Sequence, residues 1–143
     1  KSENNRMIID AKNLIAGRLA AFAAKQALLG EEIAIVNSEK AIITGSKKDI
    51  MAKYKTMNER GEPFHGPFIK KIPDRFLKRI IRGMLPYKKG NGRQAYKRIK
   101  CYKGVPKEFQ DKKTETVNKA NITKVQLAKY MTVGEVCQNL KLR

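Results

Sequence analysis

Met7, Ile8 and Ile9 form the first apolar run of the chain, and residues 10–13, mostly polar, close it as a turn. From residue 17 to residue 29 the spacing changes to that of a helix. Leu19, Phe22, Ala23 and Leu29 fall on one face, with Arg18, Lys25 and Gln26 off it. Alanines fill most of the other positions, and Gly30 stands where helices commonly stop. Ile33-Ala34-Ile35-Val36 is then a continuous apolar run, the pattern of a strand buried on both faces, and residues 41–44 form another. Strand, helix, strand is the signature of a βαβ unit and a parallel sheet, so the fold class is α/β. Only four residues separate Val36 from Ala41. That length suits a hairpin or a single helical turn, and spacing leaves both open.

Ser46-Lys47-Lys48-Asp49 resembles a capping box and predicts a second helix from residue 49 to about residue 58. Residues 60–73, with Pro63, Gly66, Pro67 and Pro73, read as a loop. A third helix is predicted over residues 74–85. Phe76, Leu77, Ile80, Ile81 and Met84 form its apolar stripe, Arg75, Lys78, Arg79 and Arg82 its other face, and Pro86 its end. Residues 99–102 suggest one more strand, and residues 112–120 a loose polar connection. Thr132-Val133-Gly134-Glu135 is a second capping box, opening a short C-terminal helix that carries Val136 and Leu140. No internal repeat or domain boundary is visible.

Charge changes this picture. The 143 residues carry a formal net charge of +19, with 41% apolar residues, enough for a real core. The net charge is +2 over residues 1–50, +14 over 51–107 and +3 over 108–143. Residues 80–107 hold nine Lys or Arg and no Asp or Glu, broken by Gly and Pro and interleaved with Tyr87, Tyr96 and Tyr102. Cations at that density repel one another unless a polyanion neutralises them, which points to a nucleic acid. Each tyrosine is equally compatible with core packing and with contact to a base or sugar. A compact α/β body with basic, Gly/Pro-punctuated loops suits an irregular RNA surface, while composition alone leaves DNA packaging open.

Other chemistries fare poorly. Gly90-Asn91-Gly92-Arg93-Gln94-Ala95 matches the dinucleotide fingerprint in form, but Leu85-Pro86-Tyr87-Lys88-Lys89 is a poor buried strand to precede it, and a flexible basic loop is the better reading. Thr44-Gly45-Ser46-Lys47 resembles a scrambled phosphate-binding loop and is better explained as a helix cap. Cys101, Cys137 and a single histidine, His65, give neither a disulfide framework, nor a zinc site, nor a hydrolytic triad. Two cysteines fit a reducing cytosolic compartment. The polar start Lys-Ser-Glu-Asn-Asn-Arg is unlike a secretory signal, and no run approaches a membrane span. No cofactor, metal, membrane or small-molecule substrate is expected.

Arg82-Gly83-Met84-Leu85-Pro86, then Gly92-Arg93, Ile99 and Tyr102-Lys103-Gly104-Val105-Pro106, resembles the universal large-subunit ribosomal protein thirteen (L-thirteen) family. So do Ile8-Ile9-Asp10-Ala11, Gly17-Arg18-Leu19-Ala20, Ile35-Val36-Asn37-Ser38-Glu39-Lys40 and Thr44-Gly45. The match runs from about residue 7 to residue 106 in order, with archaeal features favoured. Residues 60–73 and those after 108 match less clearly.

The resemblance implies a three-layer α/β/α fold around a small, mostly parallel four-stranded sheet with basic loop extensions. It also implies a tight parallel crossover between Val36 and Ala41. The organisation it suggests is a flexible extension at residues 1–6, a ribosomal α/β domain at 7–107 with its RNA-binding region at 51–107, and residues 108–143 as a polar linker and helix packed on the same domain. It further implies a non-catalytic cytoplasmic ribosomal constituent that binds 23S-type large-subunit rRNA beside neighbouring ribosomal proteins and acts early in assembly. By position, Arg82, Lys88, Lys89 and Arg93 face RNA, and Gly83 and Gly92 permit close backbone approach. The remaining candidate contacts are Arg18, Lys47, Lys48, Lys53, Lys55, Arg75, Lys78, Arg79, Lys97, Arg98, Lys100 and Lys103.

Overall fold

A computed structural model describes residues 6–59, 71–110, 112, 114–117, 120–121 and 129–141. The apolar run at the start forms strand β1 (Arg6–Asp10), and the alanine-rich segment forms helix α1 (Ala16–Leu28). Ala16, Leu19, Ala20, Ala23, Ala24 and Ala27 are buried, so small side chains let this helix approach its neighbours closely. Gly30 ends it at φ +101°. The Gly30 N–H donates to the Ala27 carbonyl at 3.0 Å and the Glu31 N–H to the Gln26 carbonyl at 3.2 Å, the two bonds of a Schellman cap. Leu29, expected on the buried face, is the C-cap residue just past the last helical position and is 71% exposed.

Strand β2 (Glu32–Val36) is buried from Ile33 onward. It lies at the centre of a three-stranded parallel sheet ordered β1–β2–β4, where β4 is Ile99–Cys101. Register puts Ile9 beside Ile35 and Cys101, and Ile33 beside Ile99, on one face. Ile8, Ala34 and Lys100 share the other.

The expected fourth parallel strand does not join this sheet. After β2, Asn37 adopts a left-handed conformation at φ 57°, and residues Ser38–Lys40 make one 3-10 turn. The Asn37 and Ser38 N–H groups donate to the carbonyls of Gly104 (2.9 Å) and Tyr102 (3.1 Å), and the Asn37 amide donates to Asp10 Oδ1 at 3.0 Å. These bonds turn the chain out of the sheet. Strand β3 (Ile42–Thr44) instead lies alongside Leu14 and Ile15, with the Ile42 N–H on the Leu14 carbonyl at 2.8 Å. It pairs antiparallel with β5 (Tyr130–Thr132). The short link is therefore neither a hairpin nor a crossover within one sheet.

Helix α2 (Lys47–Glu59) starts two residues earlier than expected, with the Ser46 hydroxyl accepting the Asp49 N–H at 3.2 Å. Helix α3 (Pro73–Arg82) starts on Pro73, whose missing N–H costs nothing there, and ends three residues before its predicted end. Helix α4 (Gly90–Arg98) occupies the segment expected to be a flexible loop, and helix α5 (Val133–Lys141) follows β5. The second capping box holds: Thr132 Oγ1 accepts the Glu135 N–H at 3.2 Å.

The main core lies on the Ile9/Ile35 face. There Ile9, Ile33, Ile35 and Ile99 pack with Leu19, Ala23, Leu77, Ile81, Val136 and Leu140. On the opposite face Phe109, from a 3-10 turn at Lys107–Phe109, covers Ile8, Ala34 and Val36 together with Tyr102. Among the described residues this turn is the whole of the third layer's regular structure. The polar connection after it is not wholly loose. The Glu115 N–H donates to the Ile8 carbonyl at 2.7 Å and its carbonyl accepts the Asp10 N–H at 3.1 Å, so it lines the outer edge of β1. The expected 60–73 loop and the N-terminal extension fall largely outside the described residues.

Candidate nucleic-acid interface

Helix α3 has two chemically different sides. Phe76, Leu77 and Ile81 are buried, Arg75 and Arg79 are exposed, and Lys78 and Arg82 lie between. The predicted stripe is narrower than expected: Ile80 is only half-buried and Met84 is 44% exposed. Asp74 in the first turn and Arg79 and Arg82 in the last complement the helix dipole.

Beyond Arg82 the chain tightens through overlapping turns. The Met84 N–H reaches the Ile81 carbonyl at 3.0 Å, and the Lys89 N–H reaches the Pro86 carbonyl at 2.9 Å. Leu85 is buried, while Lys88 and Lys89 are exposed. Gly83 has an ordinary helical φ of −65°, so the protein's own conformation does not demand glycine there.

Gly92 is different. It is buried on α4, and a Cβ placed on it would overlap the Pro86 carbonyl and lie 2.9 Å from Pro86 Cγ. The close approach expected with RNA is made here by Pro86, so the absence of a side chain is accounted for inside the fold. Gly92, Ala95, Tyr96 and Ile99 form an i, i+3, i+4, i+7 series facing inward, a signal that the Gly-rich composition obscured. The dinucleotide fingerprint lies inside this helix instead of between a strand and a helix N-terminus, the context that chemistry requires.

Where α3, the turns and α4 meet, cations and rings interleave. The Arg82 guanidinium lies 4.1 Å from the centroid of Tyr87, and that of Arg93 lies 5.9 Å from it. Lys78 Nζ lies 4.7 Å from the centroid of Tyr96. The two rings meet edge-on, 5.4 Å apart with an interplanar angle of 88°. Burial pushes the Tyr96 phenol up, Arg82 partly opposing, so it stays neutral at ordinary pH. Arg75 and Arg79, on α3, and Lys88 and Lys89, in the turns, add exposed charge to the elements that carry this cluster. Residues 75–107 contain twelve Lys or Arg and no Asp or Glu.

Other candidates lie elsewhere. Lys47, Lys48, Lys53 and Lys55 are exposed on α2, and Lys53 Nζ lies 5.4 Å from the Tyr54 ring. Arg18 is exposed on α1. Lys97, Arg98 and Lys100 line a groove of about 280 Å³ with Glu32, Ala34 and Tyr102. Lys103 lines a second cleft with Glu39, Lys40 and Glu135. Arg98 has a job in the fold that the sequence did not disclose: its guanidinium donates to the Ala27 carbonyl at 2.8 Å, capping the C-terminal turn of α1. Tyr102 packs at 5.4 Å against Phe109, which assigns it to the fold.

Thr44-Gly45-Ser46-Lys47 acts as the cap of α2, with Gly45 at φ +121°. Among the described residues no group of three or more His, Cys, Asp or Glu could hold a metal, and Cys101 and Cys137 form no disulfide. His65 lies outside the described residues. No helix among the described residues is long and apolar enough to cross a membrane.

The family model described as Ribosomal protein L13 matches residues 4–108, which include β1 and the whole α3–α4 surface. The chain belongs to this ribosomal protein family. Its archaeal relatives extend the match. The Large ribosomal subunit protein uL13 of Methanosarcina barkeri is 50% identical over 134 residues, covering 93% of this chain and 96% of the relative. Those of Methanococcoides burtonii and Archaeoglobus fulgidus are 45% and 43% identical, covering 93% and 95% of this chain and 96% and 88% of the relatives. Such coverage carries the likeness past residue 108 into the tail, where the sequence motifs gave little. Membership of a ribosomal protein family, together with the misplaced fingerprint, removes the dinucleotide-enzyme reading.

Proposed function

We propose that the chain is a structural, non-catalytic constituent of the large ribosomal subunit, located in cytoplasmic ribosomes. In this reading it binds 23S-type rRNA within the basic region 51–107, principally through the α3–α4 surface. The observation that carries it is the meeting of Lys78, Arg79, Arg82, Lys88, Lys89 and Arg93 on two adjoining helices and their connection, in a segment without a single carboxylate. The core holds α3 through Leu77 and Ile81, so the cations are presented on a rigid platform. Their role is to clamp phosphates from more than one RNA segment and fix their arrangement early in assembly, beside neighbouring ribosomal proteins. The α2 lysines and the Lys97/Lys100 groove supply further contacts in the same sense.

The test is titration of the full chain against deproteinised archaeal large-subunit rRNA at several salt concentrations. About six phosphate contacts give a log–log slope of roughly −4 to −5. A slope near zero refutes electrostatic clamping. Failure of the tagged chain to co-sediment with large subunits favours a non-ribosomal nucleic-acid chaperone instead.

A further inference from the structure

We propose that Tyr87 and Tyr96 are positioning residues of this interface, holding Arg82, Arg93 and Lys78 against their rings so that the cations meet phosphate already oriented. The inference rests on the RNA-binding reading above and assigns its aromatic groups a role within it. Tyrosines among cations on a nucleic-acid-binding protein otherwise suggest platforms on which bases stack. The geometry favours the first role. Tyr87 already has the Arg82 guanidinium 4.1 Å from its centroid and that of Arg93 at 5.9 Å. Tyr96 has Lys78 at 4.7 Å and meets Tyr87 edge-on at 5.4 Å. Both rings are thus engaged by the protein's own cations and by each other, the arrangement their quadrupoles prefer.

A guanidinium lying against a ring uses its flat face. Its in-plane N–H donors stay available for bidentate contact with phosphate. A long side chain held this way has also lost part of its rotational freedom before RNA arrives, so less is lost on binding. The edge-on tyrosine pair joins cations from both helices into one array. Lys78 and Arg82 come from α3, and Arg93 comes from α4.

The experiment is a double-mutant cycle on the full chain, read by affinity for deproteinised archaeal large-subunit rRNA at fixed salt. Tyr87→Leu should weaken binding about five- to tenfold, the size expected from losing a partly exposed cation–π contact and the order it imposes. Tyr87→Phe, which keeps the ring, should bind as the parent does. In an Arg82→Ala background, Tyr87→Leu should cost less than about threefold, because the nearer of the two guanidinium groups it positions is gone and only the more distant Arg93 remains. The proposal is overturned if Tyr87→Leu binds like the parent, if Tyr87→Phe loses as much as Tyr87→Leu, or if the Tyr87→Leu loss persists in full without Arg82. That last result would make Tyr87 a direct stacking platform.

Arg82→Lys keeps the charge without the planar face, and it serves as the second variant should Tyr87→Leu melt below the assay temperature. It should also weaken binding several-fold, and parent-like affinity would overturn the proposal. If Arg82→Ala, Lys88→Ala and Arg93→Ala combined leave rRNA affinity unchanged, the binding reading itself fails. If that triple variant loses affinity and Tyr87→Leu does not, only the positioning role fails.

Discussion

Gly92→Ala should destabilise the free protein, although alanine is normally the better helix residue. In an open helix position the exchange would stabilise by up to about 1 kcal/mol. At Gly92 the new methyl would overlap the Pro86 carbonyl, a backbone group that no rotamer change can move away. The same carbonyl accepts the Lys89 N–H at 2.9 Å, so displacing it also weakens the turn that leads into α4. Overpacking of this kind costs about 1–3 kcal/mol, and a strained turn hydrogen bond about 1 kcal/mol more. Set against the propensity gain, the net loss is about 1–3 kcal/mol. For a chain of this size that lowers the melting temperature by roughly 3–10 °C. Thermal unfolding followed by circular dichroism measures it. Gly90→Ala is the control, because a Cβ there meets nothing within 4 Å. A Gly92→Ala protein that melts at or above the parent temperature, alongside an unchanged Gly90→Ala, refutes the packing argument and returns Gly92 to an RNA-side role.

Ile81→Ala, at a fully buried position, should cost about 2–5 kcal/mol in chemical denaturation, and half-buried Ile80→Ala distinctly less; equal costs would mean the face of α3 is misassigned. Arg98→Ala should lower the melting temperature of the free protein by removing a charged donor from the Ala27 carbonyl, at about 1.5–3 kcal/mol, whereas Arg93→Ala should leave melting unchanged and weaken only RNA binding. Burial pushes the Cys101 thiol from 9.0 up to about 12, opposed by Lys78 and reinforced by Asp74. Its neutral form is therefore favoured by folding. That stabilisation is complete below pH 9 and is lost as pH rises towards 12, so the melting temperature of the parent should fall more steeply over this range than that of Cys101→Ser. Alkylation of native Cys101 at pH 8 should be slow and should accelerate on unfolding.

What the sequence determined by itself was what depends on neighbours along the chain. The switch from apolar run to helical period marked β1, α1 and β2, because burial of one face follows directly from side-chain periodicity. Gly30, Ser46 and Thr132 marked helix ends because their bonds reach only a few residues. Charge density marked the α3–α4 region as the most basic part of the chain, since like charges so close in sequence cannot be far apart in space.

Tertiary structure alone decided matters that join distant residues. Whether β3 joined the parallel sheet depended on Asn37 bonding to Asp10 and Gly104, and on Leu14 offering its carbonyl to Ile42. Helix α4 has a Gly-rich, weakly helical sequence. It forms because Gly92 fits against Pro86 and because Ala95 and Tyr96 pack into the core, a gain no local window contains. Arg98 resembled its basic neighbours until folding brought the end of α1 to it. The tyrosines were ambiguous for the same reason. Whether a ring meets a cation, another ring or solvent is settled by the approach of two helices, and strong local charge reveals nothing about that approach.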